Sequence, residues 1–388
     1  MNYAVLEQIS IAKTYPYRGL TIVKGSGVFL FDINDNAFLD LGSNYGINIL
    51  GHGHPVFVQR INNQLNKLVN LHGSFSNDVR SEAAFRLKKL ALKNLGEDYK
   101  IVFSSSGSES VDNAVKMALY LRSGKKILAF TGAYHGKTFL PLSLTYEEKY
   151  KKNMPRVFDK MIVRAEYNNL EDLEKKFNSE IGIVILELIQ GDGGIIPAEK
   201  AFILRLKELV KKHNAILIID EVQTGTGRTG KFFASEWYAL QPDILLLGKG
   251  IAAGIPTSVI LIRKYLAGKL FKGIQTSTFG GNPLSMQGIL VALDLIDDKF
   301  LKNVQRTGEF LLQKLKKISS EDITAVRGLG LMLGVEVRES KRDLILKQLQ
   351  KRQVIALPAA GNVIRFLPPL VLQKQDLRPY LENIKRSF

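Results

Sequence analysis

The chain has 388 residues, with 54 Lys and Arg against 37 Asp and Glu, and it contains no cysteine. The length suffices for two or three lobes, while the missing cysteines exclude disulfides, thiolate metal sites and a cysteine nucleophile. The chain contains no run of about 18 apolar residues, so no membrane-spanning helix is predicted. The net charge of +17 favours anionic partners such as nucleic acid, an anionic membrane or an acidic protein.

The predicted elements begin with an N-terminal segment, residues 1–50, that has no secretory signal pattern and therefore suggests a cytoplasmic location. It reads as a helix and a small β-meander that pack with the smaller domain. From 51 to 275, short apolar strands alternate with helices, which predicts a large α/β domain with a mostly parallel sheet. From 276 to 388, long helices followed by strands predict a smaller α+β C-terminal domain, and residues 300–388 hold about half of the excess positive charge.

Five polar or glycine-rich segments each follow a predicted strand of the large domain. Because ligands bind beyond the carboxyl ends of the strands in open parallel sheets, we expect these segments to form one site. They are residues 104–110, 131–138, 187–194, 220–230 and 248–250.

Two residues in these segments predict a cofactor. Asp220 ends the apolar run at 215–220, and Lys249 follows the next run at 243–247. A lysine that carries pyridoxal phosphate as a Schiff base, together with an acid that keeps the pyridine nitrogen protonated, is what that cofactor requires. A solvated lysine and an ordinary strand-end aspartate are the alternative interpretation of each residue alone.

Other strand-end residues fit the same cofactor. Ser106, Gly107 and Ser108 open a helix, and the amides at a helix N-terminus favour a phosphate, although an N-capping serine is the simpler interpretation. Residues 134–136 (Tyr134, His135 and a glycine) offer a ring for stacking. Val222 would pack on the ring face, Gln223 would contact its phenolic oxygen, and Glu187 would neutralise a substrate-binding arginine or be a solvated acid.

Three competing motifs are rejected. Residues 225–230 match the dinucleotide pattern G-x-G-x-x-G, but five residues separate them from the strand. Residues 225–231 match a phosphate-binding loop, but Phe232 stands where the magnesium-ligating Ser or Thr belongs. His52 and His54 lack a third ligand at metal-binding spacing, so no metal is predicted.

The motifs GHGHP, SSGSES, AYHGKT, ELIQGDGG, LIIDEVQTGTGRTG, PDILLLGKG, STFGGNP and RGLGLMLGVEV run from about residue 20 to 370. With them the chain resembles the class III, ornithine/acetylornithine-type, pyridoxal-phosphate-dependent aminotransferases. The resemblance implies fold type I with a seven-stranded, mostly parallel sheet, a homodimer and ping-pong exchange with glutamate and 2-oxoglutarate.

The same resemblance implies residue roles. Lys249 would be the catalytic lysine and proton carrier, and Thr278 would reach the phosphate of the other subunit's cofactor. Arg365 would bind the distal carboxylate of glutamate, with Glu187 masking it. Tyr45 would contact substrate. The family usually has arginine at the α-carboxylate contact, whereas this chain has Lys137, a point charge without arginine's bidentate fork.

Residues 143–158 and 354–377 most resemble the branch of the family that acts on substrates attached to an acidic amino-group carrier protein in lysine or ornithine synthesis. A basic rim formed by 145–156 and the C-terminal lobe would steer such a carrier to the site. Three alternatives stay open from the sequence. These are a free acetylornithine or ornithine substrate, another reaction of the same fold type (racemase, mutase or decarboxylase), and a nucleic-acid-binding protein.

Overall fold

The computed structural model describes residues 3–388. Its strands are β1 (Ile22–Ser26), β2 (Phe29–Asp32), β3 (Ala37–Asp40), β4 (Tyr99–Ser104), β5 (Lys126–Phe130), β6 (Ile162–Ala165), β7 (Ile181–Leu186), β8 (Ile189–Gln190), β9 (Ile196–Pro197), β10 (Ile216–Glu221), β11 (Ile244–Leu247), β12 (Ser258–Arg263), β13 (Ile323–Leu329), β14 (Met332–Val337), β15 (Val354–Ile355), β16 (Leu357–Ala359) and β17 (Val363–Phe366). The right-handed α-helices span Tyr3–Ser10, Pro55–Leu65, Asp78–Leu95, Gly107–Leu121, Phe139–Leu144, Leu170–Lys176, Lys200–Lys212, Lys264–Ala267, Pro283–Leu295, Asp298–Lys316, Arg342–Lys351, Lys374–Leu377 and Leu381–Lys385.

The central sheet has seven strands in the order β4-β12-β11-β10-β7-β5-β6. All except β12 run parallel to one another. Every residue of β7, β10 and β11 is buried, as expected for strands covered on both faces by helices. The predicted mostly parallel, helix-covered sheet is therefore confirmed.

Strand β12 is the exception that the sequence did not reveal. It lies between β4 and β11 and pairs antiparallel with both. The residues of β12 are mostly apolar and buried, like those of the strands that run parallel to one another, because both faces of β12 are covered too. An apolar run reports burial and carries no information on strand direction.

Two smaller four-stranded sheets lie outside the central one, with orders β1-β2-β3-β15 and β13-β14-β17-β16. The first joins the N-terminal meander to the C-terminal part of the chain, because Leu39 pairs in parallel with Val354. The packing of the N-terminal segment with a smaller domain and the domain boundaries at 50 and 275 stay predictions. Among residues 3–388, no helix has the length and apolarity that a bilayer crossing requires.

The helix Asp78–Leu95 was not predicted, although its end signals stand in the sequence. The side chain of Asn77 caps it by accepting from the Arg80 amide at 3.1 Å, and Gly96 ends it with φ of 74°. Its buried positions recur every four residues, from Val79 to Leu95. The capping asparagine, the terminal glycine and this spacing together are a helix signature.

Candidate active site

The loops that follow β4, β10 and β11 meet at the carboxyl edge of the central sheet. A Cβ added to Gly107 would lie 2.7 Å from Cγ1 of Val222, and one added to Gly248 would lie 3.0 Å from the same atom. Val222 therefore packs between two backbone segments that only glycine allows to come so close. Three of the five predicted segments, 104–110, 220–230 and 248–250, therefore meet at this edge.

Asp220 is a buried carboxylate at the centre of this edge, with 5% of its surface exposed. Its Oδ1 accepts from the Val222 amide at 3.0 Å, and its Oδ2 lies 2.8 Å from Nδ1 of His135. No lysine or arginine of residues 3–388 comes within ion-pair distance of it. A buried carboxylate without a full cation is unfavourable, so Asp220 suits a cationic group such as a protonated ring nitrogen.

His135 holds the Asp220 carboxylate through a hydrogen bond from its ring. Its ring is buried, and its Nε2 has no hydrogen-bond partner within the described chain. The ring holds Asp220 through Nδ1, and the His135 amide donates to Oγ1 of Thr145 at 3.0 Å. His135 thus orients the carboxylate, and its predicted direct contact with a cofactor stays a prediction.

Lys249 stands two residues past the end of β11 and has a left-handed backbone with φ of 46°, a conformation that costs a non-glycine residue about 1–2 kcal/mol. Within residues 3–388 its Nζ makes no hydrogen bond or ion pair. Burial, followed by the positive charge of Arg365, lowers the pKa of Lys249 to about 8, against the opposing charges of Asp220 and Glu187. The side chain is therefore an unpaired amine that loses its proton easily.

The depressed pKa of Lys249 has a measurable consequence. We expect covalent capture of pyridoxal phosphate by the apoenzyme to quicken about tenfold per pH unit up to about pH 8 and then to level off, because only the unprotonated amine attacks. An ordinary lysine, with a pKa of 10.5, would give a rate that still climbs at higher pH. Stopped-flow measurement of the visible absorbance distinguishes the two, and a rate still rising above about pH 9 would contradict the shift.

The N-terminus of the helix Gly107–Leu121 faces the same edge. The Ser106 side chain is its N-cap and accepts from the Glu109 amide at 3.2 Å, so the capping interpretation of this serine is correct for its hydroxyl. The amides of Gly107 and Ser108 precede the first intrahelical bonds and are available to an anion. Oγ of Ser108 lies 2.7 Å from Oγ1 of Thr138. This turn fits a phosphate group.

Arg365, on β17, is 2% exposed and reaches the site from the C-terminal part of the chain. Its Nη1 donates to Oε1 of Gln223 at 3.3 Å, and its guanidinium lies 5.2 Å from the Tyr45 ring centroid. Its Nε has no hydrogen-bond partner among the described residues. The arrangement leaves capacity for a substrate carboxylate, which arginine binds well.

The acid beside Arg365 is Asp192, whose Oδ1 lies 3.7 Å from Nη2. Glu187 instead accepts from the Tyr134 amide at 2.9 Å and the Gly191 amide at 3.2 Å. Glu187 therefore makes no direct ion pair with Arg365 within residues 3–388, although its charge raises the pKa of Arg365 against the effect of burial, and its masking of this arginine stays a prediction. Both acids belong to the loop after β7, and only the three-dimensional path of that loop distinguishes them.

Tyr45 lies in a left-handed turn that the sequence did not indicate. The four residues Ser43–Gly46 have φ between 47° and 86°. Buried Arg228 supports the turn by donating to the carbonyl oxygens of Gly46 at 3.4 Å and of Leu331 at 3.1 Å, and also to that of Pro368. Strained backbone of this kind persists only where its surroundings hold it, and here it places Tyr45 against Arg365.

The remaining predicted residues lie at the rim. Tyr134 is half-buried, and burial, followed by the charge of Asp192, raises its pKa to about 12. Lys137 is exposed, with its Nζ 4.0 Å from the Tyr150 ring centroid. Thr278 is exposed and makes no side-chain hydrogen bond within residues 3–388, so its role towards a second subunit stays a prediction.

A buried acid lacking a full cation, an unpaired lysine and a helix N-terminus thus meet at one sheet edge, and they fit pyridoxal phosphate. With the seven-stranded sheet, they define a pyridoxal-phosphate-dependent enzyme of fold type I. The chain belongs to the class-III aminotransferase family, whose model matches residues 10–388. It is a pyridoxal-phosphate-dependent transaminase.

Several relatives are similar over almost their whole length. The acetylornithine aminotransferase of Aquifex aeolicus is 36% identical over 95% of this chain and 96% of the relative. The [LysW]-aminoadipate semialdehyde/glutamate semialdehyde transaminase of Sulfurisphaera tokodaii is also 36% identical, over 94% of this chain and 93% of the relative. Among solved structures, the ornithine aminotransferase of Toxoplasma gondii ME49 superimposes with a TM-score of 0.92 at 28% identity, covering 99% of this chain and 94% of that one.

Proposed function

We propose that the enzyme moves an amino group between glutamate or 2-oxoglutarate and the terminal semialdehyde of a lysine or ornithine precursor that is attached to an acidic carrier protein. The reaction alternates two half-reactions in one site, in the cytoplasm and in a homodimer. The observation that carries the carrier part of this proposal is the position of the basic segment 145–156. Its residue Tyr150 lies against Lys137, the proposed substrate-carboxylate contact, at the mouth of the site.

The donor half-reaction uses the Arg365 cluster. The distal carboxylate of glutamate pairs with Arg365, and Asp192, at 3.7 Å, neutralises the same guanidinium when no such carboxylate is bound. Without a counter-ion, a buried arginine would be strongly unfavourable whenever the acceptor occupies the site. Asp192 thus allows one pocket to serve substrates with and without a second carboxylate.

Proton transfer is assigned to Lys249. When bound, the cofactor supplies an electron sink for the charge that develops as the substrate Cα loses its proton. The free ε-amine of Lys249 would accept that proton from Cα and deliver it to the cofactor within the same half-reaction, for which its lowered pKa is suited. Asp220, oriented by His135 at 2.8 Å, keeps a negative charge opposite the proposed position of the ring nitrogen.

The surface of the 145–156 segment suits an acidic partner. Lys149 and Lys152 are exposed, whereas Lys151 is 4% exposed and donates to the Thr145 carbonyl at 2.9 Å. The segment therefore presents fewer free charges than its sequence suggests, since Lys149 also pairs with Glu147 at 3.3 Å. The Nζ of Lys149 lies beside the Tyr150 ring at the rim. Rim charges of this kind act mainly by accelerating association.

A free acceptor is the second candidate, because the relative named acetylornithine aminotransferase is as similar as the one named for [LysW]-linked substrates, both at 36% identity. The Lys137 contact favours neither, since both acceptors carry a carboxylate. The discriminating measurement is kcat/KM for the carrier-linked semialdehyde against free N-acetylated glutamate semialdehyde, at low and at physiological salt.

We expect the carrier-linked acceptor to be preferred and its kcat/KM to fall with salt. Lys152→Glu should lower its kcat/KM about 3- to 10-fold at low salt, because it reverses a charge on the approach path. Lys212→Glu is the matched control: Lys212 is equally exposed, but it precedes β10 and so lies at the opposite edge of the sheet. Equal use of both acceptors, with no effect of salt, would refute the carrier proposal.

A further inference from the structure

Lys137 rests on an aromatic ring. Its Nζ lies 4.0 Å from the Tyr150 ring centroid, and Nζ of Lys149 lies 5.0 Å from the same centroid. No carboxylate of residues 3–388 is within ion-pair distance of Lys137. A cation this close to the face of an aromatic ring is attracted by its π electrons. Tyr150 is therefore the group that restrains an otherwise flexible side chain.

The Tyr150 ring is itself held in place. Its centroid lies 6.3 Å from that of Tyr134 at an interplanar angle of 80°, an edge-to-face arrangement. Tyr150 ends a short helical turn, Glu148–Tyr150, which buried Lys151 braces through a 2.8 Å ion pair with Glu148. The ring is thus part of the folded structure of the segment.

Tyr150 also faces the substrate side of the site. Its phenol interacts electrostatically with Asp192 and Tyr45, the two residues beside Arg365, and burial followed by the charge of Asp192 raises its pKa. The Tyr150 ring therefore contacts Lys137 at the rim and also lies within electrostatic range of Asp192, the acid beside Arg365. An ammonium fixed on this ring is held close to the Arg365 cluster.

We propose that Tyr150 is a positioning residue for substrate recognition, whose ring fixes the Lys137 ammonium where it receives the carboxylate of the acceptor aldehyde. Arginine is oriented by its own planar fork, whereas lysine is a point charge on a flexible stem. The ring supplies the orientation that the lysine lacks. The inference rests on the proposed role of Lys137, but it does not depend on whether the acceptor is free or carrier-linked.

The test compares two acceptors with each variant. N-acetylated glutamate semialdehyde carries a carboxylate, whereas butanal does not. Tyr150→Leu should raise KM for the first about 2- to 30-fold, the range expected for losing one cation–π contact, with little change in kcat. Its KM for butanal should stay at the wild-type value. Tyr150→Phe keeps the ring and should stay within about twofold of wild type for both acceptors.

Leucine could raise KM by packing differently from an aromatic ring. A series of substitutions that keeps the shape of the ring separates this effect from the loss of the cation–π contact. Phenylalanine with none to three ring fluorines at position 150 keeps the ring while withdrawing π-electron density. The KM for the carboxylate-bearing acceptor should rise with each fluorine, and a flat series would overturn the proposal.

A double-mutant cycle tests whether Tyr150 acts through Lys137. Lys137→Met should raise KM for the same acceptor, and adding Tyr150→Leu should raise it no further. Additive effects, or an equal loss with butanal, would show that Tyr150 does not act through this ammonium. Failure of the wild-type enzyme to aminate either acceptor with glutamate as donor would instead refute the proposed function.

Discussion

Lys249→Ala is expected to abolish transamination, lowering the rate by at least about 10⁴-fold. The change removes both the covalent attachment of the cofactor and the amine that moves the proton. The visible absorbance of the lysine-bound cofactor should disappear, and glutamate-dependent release of 2-oxoglutarate should fall to background. Lys249→Arg should be equally inactive, because a guanidinium stays protonated.

The control for this prediction is Lys264→Ala. Lys264 also directly follows a strand, β12, but its side chain is 65% exposed and lies at the opposite edge of the sheet, since β12 runs antiparallel. This variant should keep wild-type absorbance and activity. Transamination retained in Lys249→Ala would refute the assignment of the catalytic lysine.

Asp220→Asn is expected to lower the rate of the glutamate half-reaction by about 10²–10³-fold, the usual effect of removing one preorganised electrostatic partner. Asparagine keeps the size of the side chain and the hydrogen bond from the Val222 amide but not the negative charge. Without that charge the ring nitrogen is no longer kept protonated, and the electron sink weakens. Single-turnover absorbance changes on mixing with glutamate measure the effect.

Asp243→Asn provides the comparison. Asp243 is also buried, but its Oδ2 accepts from the Leu217 amide at 2.9 Å and its Oδ1 accepts from the Tyr265 hydroxyl at 2.9 Å, at the start of β11. The change should reduce stability without slowing the half-reaction in the folded enzyme. A comparable loss in both variants would show that Asp220 contributes through folding and not through its charge.

The sequence was sufficient to predict a mostly parallel central sheet and the segments that meet at its edge, although it did not reveal the antiparallel strand β12. Asp220 and Lys249 were identifiable because each stands at or just past the carboxyl end of a continuous apolar run, and parallel strands end at the same edge. The positive charge was less informative: of the Lys149–Lys152 cluster, Lys151 proved to be a buried brace and not a surface charge. A lysine stem buries readily along apolar surface, and the sequence does not reveal where its ammonium ends.

The sequence by itself therefore determined the buried, mostly parallel sheet and singled out Asp220 and Lys249 at its edge, because apolar runs and their polar ends are local patterns. Only the tertiary structure decided that Asp192 is the acid within ion-pair distance of Arg365, that β12 runs antiparallel, and that the Lys137 ammonium lies over the Tyr150 ring. Each of these depends on contacts between side chains or strands that are far apart in the sequence and are brought together only by the path of the folded chain. Composition and spacing record which residues are available, whereas the direction of a side chain depends on what packs around it.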